Sequence, residues 1–214
     1  MNNFNNNAAK IAEFLLQINA VKLQPTKPFK WASGWNSPIY CDNRKILAYP
    51  EIRSFIKNEF VELIKEFEAP TCIAGVATGG IAIGALIAEE LGLPFCYVRS
   101  SAKSHGMKNN IEGDLKKEDK VFVIEDLISS GMSSLKAVED LREFGVKIIG
   151  LGAIFTYGFE ESIKGFKNAS CSFKTLSNFS VLLETALENN YITDSELNTI
   201  LKWRESPSNW KINA

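Results

Sequence analysis

Glu125 and Asp126, followed closely by Ser129, Ser130, Gly131, Ser133 and Ser134, are the residues of this chain whose types and spacing could do chemistry. Ionised carboxylates only accept hydrogen bonds, whereas hydroxyls and free backbone N–H groups donate them. Small, donor-rich residues opening a helix form an anion site, because unsatisfied N–H groups and the positive end of the helix dipole converge there. Two carboxylates beside a phosphate cradle would repel the phosphate, so their partners should be hydroxyls or a metal ion. A sugar phosphate offers both. No Gly-Lys-Ser/Thr follows and no Gly-x-Gly-x-x-Gly is present, which sets aside nucleotide and dinucleotide loops.

The elements that must position these groups are legible from periodicity. Val121 to Ile124 is an apolar run without alternation, predicting a strand buried on both faces and closed by the two acids. Leu135, Val138 and Leu141 then form the stripe of a helix. Upstream, Thr71–Ala77 predicts another buried strand, which Thr78, Gly79 and Gly80 turn into a helix from about Ile81 to Leu91. Those glycines either admit backbone N–H groups to an anion or serve a tight turn. Phe95–Val98 is a further strand. After it, Arg99 to Lys120 is polar and aperiodic, which suits a lid. Arg99, Lys103 and His105 lie close together in it, and Gly106 allows the backbone to swing.

Val146–Phe155 predicts another strand, ending in Thr156-Tyr157-Gly158, and Cys171–Leu176 an edge strand. Helices are expected over about Ala8–Ala20 (Ile11, Phe14, Leu15, Ile18), Pro50–Phe67, Asn178–Asn190 and Thr193–Arg204. Thr193-Asp-Ser-Glu196 forms a capping box for the last, and Phe179, Leu182, Leu183, Leu187, Leu197, Ile200 and Leu201 should pack the final pair. Between Pro28 and Arg44, two aromatic pieces flank Ser33-Gly34-Trp35-Asn36, a hairpin signal read as a hood over the active site. Strands alternating with helices predict an α/β fold with a parallel sheet, whose ligands gather at the carboxyl ends of the strands. Thr78–Gly80, Arg99–Gly106 and Glu125–Ser133 all follow such ends.

With 214 residues, the chain fits one domain, read as an N-terminal helix and hood (1–49), an α/β core (50–176) and C-terminal helices (177–214). Hydrophobic content of 45%, charge of 23% and a net charge of -1 exclude gross disorder and give no basic field for nucleic acid. Cys41, Cys72, Cys96 and Cys171 are far apart and there is one His, which points to reduced buried thiols in a cytoplasmic protein rather than a zinc cluster or disulfide framework. No run approaches the ~20 apolar residues of a membrane span, and the Asn-rich start, which should be frayed, lacks the regions of a signal peptide.

The stretch Val121–Leu135 resembles the phosphoribosyl diphosphate (PRPP) motif of the type I phosphoribosyltransferases. Ala32-Ser-Gly34, Ser37-Pro-Ile-Tyr-Cys-Asp-Asn-Arg44 and Arg99-x-x-x-Lys103-x-His105-Gly106 resemble the hood and catalytic loop of the orotate phosphoribosyltransferases, and the likeness covers nearly the whole chain. It implies a type I phosphoribosyltransferase-like parallel sheet flanked by helices, with an N-terminal hood and a C-terminal helix pair. The implied reaction transfers phosphoribose from PRPP to orotate, giving orotidine 5-monophosphate and pyrophosphate in pyrimidine synthesis.

The resemblance also implies roles for residues. Glu125 and Asp126 would meet the ribose hydroxyls, and the loop from Leu127 and Ile128 through Ser129, Ser130, Gly131, Met132 and Ser133 would hold PRPP. Thr78, Gly79 and Gly80 would form the pyrophosphate loop. Arg99, Lys103 and His105 would neutralise pyrophosphate, while magnesium would be carried by PRPP with no direct protein ligand. Ser129 would touch orotate; Tyr40 and Arg44 could stack on and pair with it, or Arg44 could pair with a neighbouring acid. A homodimer is implied, its catalytic loop crossing to the partner site, with no nucleic-acid or membrane partner. Ser100 stands where many members have lysine, the Thr78–Gly80 turn lacks a lysine found in some branches, and Thr156-Tyr157-Gly158 lacks the arginine that takes the orotate carboxylate in some branches. A phosphoribosyltransferase for another base, or a PRPP-sensing regulator, would share the central motif.

Overall fold

The computed structural model describes residues 3–31, 34–99 and 110–210. In chain order, helix α1 (Asn3–Gln17) precedes strands β1 (Val21–Leu23), β2 (Phe29–Lys30), β3 (Asn36–Ser37) and β4 (Ile39–Cys41) and a 3-10 helix, Asn43–Ala48. There follow α2 (Pro50–Ile64), β5 (Cys72–Val76), α3 (Gly79–Leu91), β6 (Phe95–Val98), β7 (Ile111–Glu112), β8 (Lys120–Ile128) and α4 (Met132–Phe144). Then come β9 (Lys147–Thr156), α5 (Glu160–Asn168), β10 (Phe173–Asn178), α6 (Phe179–Glu188) and α7 (Asp194–Glu205). Two compact units result, one of residues 47–178 and the other of residues 1–46 with 179–214.

In the larger unit a six-stranded sheet runs in the order β10-β9-β8-β5-β6-β7, and every pairing is parallel except the antiparallel one of β6 with β7. Its central strands are apolar because both faces are covered. On one face Val121 and Val123 join Cys72, Ala74, Cys96 and Leu151 against Ala137, Val138 and Leu141 of α4 and Phe166 of α5. On the other, Phe122 meets Phe67 edge-on at 5.0 Å, and glycines at 150 and 152 leave room for Phe67 and Phe60. Phe122 and Ile124 therefore look toward α2 and α3, and Val121 and Val123 toward α4 and α5, as the two-residue period of a strand requires. At the amino ends of β8 and β9, Glu68 bridges Lys120 (2.8 Å) and Lys147 (2.5 Å).

The chain departs from the sequence reading in several places. Strand β8 does not close at the acids but continues through Glu125 and Asp126 to Ile128, because its pairing with β9 runs to Ile128 opposite Thr156. Gly79 and Gly80 are the first residues of α3 rather than a turn before it, and α1 takes in part of the Asn-rich start. Strand β7 was unreadable since two residues carry no period. Helix α5 is similarly hard to read, because its nine residues include only two large apolar ones, Ile163 and Phe166. Cys72, Cys96 and Cys171 are buried and Cys41 is half-buried, all four as free thiols.

In the smaller unit, β2 and β3 pair antiparallel as the hairpin signal predicts, with Ala32 and Ser33 of its turn outside the described residues. A second antiparallel pair, β1 with β4, had no separate signal. Thr193 and Glu196 form the expected capping box. Phe179, Leu182, Leu183 and Ile200 are buried, but Leu201 is 41% exposed, and Trp203 is fully buried instead. The Trp203 ring packs edge-on to Trp31 at 5.6 Å and its Nε1 donates to the Asn36 carbonyl at 3.2 Å.

Trp203→Ala should therefore destabilise the protein by about 3–5 kcal/mol, whereas Leu201→Ala should stay within roughly 0.5 kcal/mol. Denaturant unfolding of both variants checks the contrast.

Candidate active site

The carboxyl ends of β5, β6 and β8 are neighbours in the sheet, so the segments that follow them share one edge. After β8, Ser129 and Ser130 bend the chain into Gly131, whose φ of 82° and ψ of 1° lie in the left-handed region. Glycine suits this position twice over, since a Cβ would be strained there and would also press on the Phe166 ring at 3.0 Å. Helix α4 then begins without a side-chain cap. The Met132 amide donates to the Ser130 hydroxyl at 3.5 Å, while the amides of Ser133 and Ser134 meet no protein acceptor among the described residues. Met132 and Ser133 are exposed, and Ser129 and Ser130 half-buried. This is an anion cradle of backbone donors.

Helix α3 brings a second uncapped N-terminus to the same edge. Its approach is backbone on backbone: a Cβ on Gly80 would strike the Ile124 carbonyl oxygen, and one on Gly75 would lie 2.6 Å from the Gly80 carbonyl oxygen. At Gly79 a Cβ would fall on the Asp126 carboxyl group. What requires glycine at both places is the packing of α3 against β8, a reason distinct from either sequence reading. The peptide bond between Ala77 and Thr78 is cis.

The two acids continue the two rows of β8 side chains. Asp126, half-buried, extends the row of Phe122 and Ile124 and lies against Gly79 of α3. Glu125, only 4% exposed, extends the row of Val121 and Val123 and accepts a 2.9 Å hydrogen bond from the Ser134 hydroxyl of α4. Its other oxygen accepts from the Asp126 backbone N–H at 3.1 Å. Burial, and then the neighbouring Asp126 carboxylate, push the Glu125 carboxyl up to about 8 from 4.5. Near neutral pH the pair thus carries less than two full charges. That moderates the repulsion a phosphate would otherwise meet.

Arg99 follows β6. Its guanidinium Nη1 lies 3.3 Å from the Glu112 carboxylate on β7, and its backbone N–H donates to the Asn110 carbonyl at 2.8 Å. Lys103, His105 and Gly106 lie outside the described residues. In the smaller unit Arg44 pairs with Asp42 at 2.6 Å and holds that carboxyl below the usual carboxylate range, which is the neighbouring-acid alternative of the sequence reading. Tyr40 is 39% exposed, its ring 5.5 Å from that of Phe29. Beyond β9, Thr156 donates to the Ile128 carbonyl at 3.2 Å and accepts from the Gly158 amide, and Tyr157 stacks on Phe159 at 5.5 Å. Among the described residues no group of three or more His, Cys, Asp or Glu could hold a metal ion, and no helix is long and apolar enough to cross a membrane.

A phosphoribosyl transferase domain model matches residues 43–177. An orotate phosphoribosyltransferase of Cytophaga hutchinsonii is 52% identical over 207 residues, covering 96% of this chain and 99% of its own. The chain belongs to the orotate phosphoribosyltransferase family. Among solved structures, the orotate phosphoribosyltransferase of Aeropyrum pernix superposes with a TM-score of 0.75 at 26% identity over 86% of this chain and 99% of that one. Leishmania donovani UMP synthase gives 0.81 at 25% identity, covering 94% of this chain but only 43% of its own length. Within this orotate phosphoribosyltransferase fold, Ser134 is the polar residue at the edge that sequence reasoning counted among loop donors but gave no task. The available signal was its place on the same helical face as Val138 and Leu141, pointing inward.

The raised Glu125 carboxyl fixes a pH dependence. Because its value is higher in the folded state than in the unfolded chain, the stability it contributes is full below pH 4.5 and is lost as pH rises through about 8. Glu125→Gln, which stays neutral, should flatten the fall of Tm between pH 6 and 9 and melt several degrees above the parent at pH 9. Parallel Tm curves for the two proteins would show that Glu125 is not held neutral.

Proposed function

We infer that the chain joins orotate to the phosphoribosyl group of PRPP, releasing pyrophosphate and orotidine 5-monophosphate. The observation that carries this reading is the 52% identity to a curated orotate phosphoribosyltransferase along almost the whole of both chains. The geometry of the larger unit supports it, since a sugar phosphate needs an anion cradle and hydroxyl acceptors side by side, and β8 and α4 supply both.

In the proposed mechanism the amides opening α4, with Ser130, Gly131 and Ser133, take the 5-phosphate, and Leu127, Ile128 and Met132 shape the loop around it. Glu125 and Asp126 accept the ribose hydroxyls. Breaking the bond from ribose C1 to pyrophosphate develops positive charge on the sugar and negative charge on the leaving group. The two acids lie on the sugar side, where negative charge favours the first of these. Thr78, Gly79 and Gly80 at α3 offer backbone donors to pyrophosphate, joined by Arg99, Lys103 and His105. Arg99 must exchange its contact with Glu112 for one with the ligand. Orotate is already an anion able to attack C1, so no protein nucleophile is required. Ser129 would contact its ring, and Tyr40 and Arg44 are the proposed contacts of the hood, Arg44 after release from Asp42. Magnesium, carried by PRPP oxygens and water, supplies charge neutralisation when bound. The protein is proposed to act in the cytoplasm as a homodimer, with the loop bearing Lys103 serving the partner's site.

With PRPP and magnesium, the loss of orotate absorbance should be rapid, and no product should form when uracil, adenine, hypoxanthine or guanine replaces orotate. Turnover of another base instead would overturn the substrate. Mixing Lys103→Ala with Asp126→Ala protein should restore activity in one of the two sites of each mixed dimer; no recovery after verified subunit exchange would count against a shared site.

A further inference from the structure

Ser134 differs from the other serines of its loop. It is fully buried, whereas Ser133 is exposed and Ser129 and Ser130 are half-buried, and its hydroxyl is engaged away from the cradle. Its hydroxyl instead donates to Glu125 at 2.9 Å, joining the first turn of the phosphate-binding helix to the more deeply buried of the two acids. We propose that Ser134 is a positioning residue of the reaction, its hydroxyl aiming the Glu125 carboxylate so that the grip on the ribose hydroxyls follows the placing of α4. This rests on the reading of Glu125 as a ribose-hydroxyl acceptor.

The surroundings of Glu125 show why one hydroxyl carries such weight. From its own strand it is faced by the Asp126 carboxylate and the Asp126 amide. Its own backbone lies against Gly80 of α3, and its register partner on β9 is Ala153. Asp126 is the charged group acting on it, and its backbone amide, followed by the Ser134 hydroxyl, opposes burial by favouring the ionised form. A Ser134→Ala protein would leave a carboxyl oxygen in a buried position without its side-chain donor. Glu125 would then move further toward the neutral form and lose its fixed orientation. An ionised carboxylate accepts from hydroxyls with both oxygens, whereas a neutral one spends part of that capacity on its own proton. The defect should therefore be largest where the parent Glu125 has begun to ionise and the variant has not, and it should fade at higher pH.

The test is PRPP affinity, with magnesium present, and orotate turnover from pH 6 to 9 for the parent, Ser134→Ala, Glu125→Gln and the double variant. The Ser134→Ala protein should bind PRPP about tenfold more weakly at pH 7.5, the size expected for one lost hydrogen bond. The loss should shrink toward pH 9, and it should be almost absent when measured in the Glu125→Gln background. A loss that is equal at every pH, or that adds in full to that of Glu125→Gln, would overturn the inference. Should Ser134→Ala fail to fold, Ser134→Cys keeps the shape with a weaker donor, and the same pH dependence decides. A parent protein without PRPP binding or orotate turnover would overturn the reading of the site itself; an active parent matched by Ser134→Ala at all pH values would overturn only the role of Ser134.

Discussion

The contact on which the rest of the edge depends is backbone against backbone. Gly80 of α3 sits on the Ile124 carbonyl, and Gly75 of β5 sits under the Gly80 carbonyl, with no room for a Cβ at either place. Side chains there would lift α3 off the sheet and carry its N-terminus away from Asp126. The absence of three methyl groups, at positions 75, 79 and 80, thus sets how near a positive helix end comes to a carboxylate. Few interactions in the molecule have so little material and so much leverage, because helix-end fields fall off within about one turn.

Two adjacent residues of one strand reach two helices. Asp126 belongs to the face of α3 and Glu125 to the face of α4, and the carboxyl groups still influence one another around the strand end. Their environments differ enough to separate their behaviour. Asp126 is half-buried beside a helix N-terminus, whereas Glu125 is enclosed and held by the Ser134 hydroxyl and the Asp126 amide. Electrostatic work at this edge is therefore divided within a pair that looks redundant in the sequence.

Much of this was legible from residues alone. The run Val121–Ile124 predicts its burial correctly because a strand covered on both faces has no polar alternation to hide it. The strand's end was misplaced, however. Charged residues ordinarily mark the exit from a core, but pairing with β9 carries β8 past them, and nothing local to Glu125 encodes that partner. Gly79 and Gly80 read as a turn for the same reason: the carboxylate that excludes a Cβ lies far away in sequence. The likeness to a known family named the edge, but the Ser134 hydroxyl bond required coordinates, since one inward-facing serine among several looks like its neighbours. Leu201 was expected in the core, but α7 turns Ile200 and Trp203 inward, because on a short helix the buried face depends on which side its neighbours cover.

The two ends of the central strands are built from different materials. At the amino ends of β8 and β9, Glu68 ties the strands together through Lys120 and Lys147, while the carboxyl ends carry glycines, hydroxyls and acids. Ion pairs and candidate ligand groups thus occupy opposite ends of one sheet. Substitutions among the hydroxyls and acids of the carboxyl ends would leave the Glu68 ion pairs at the amino ends untouched.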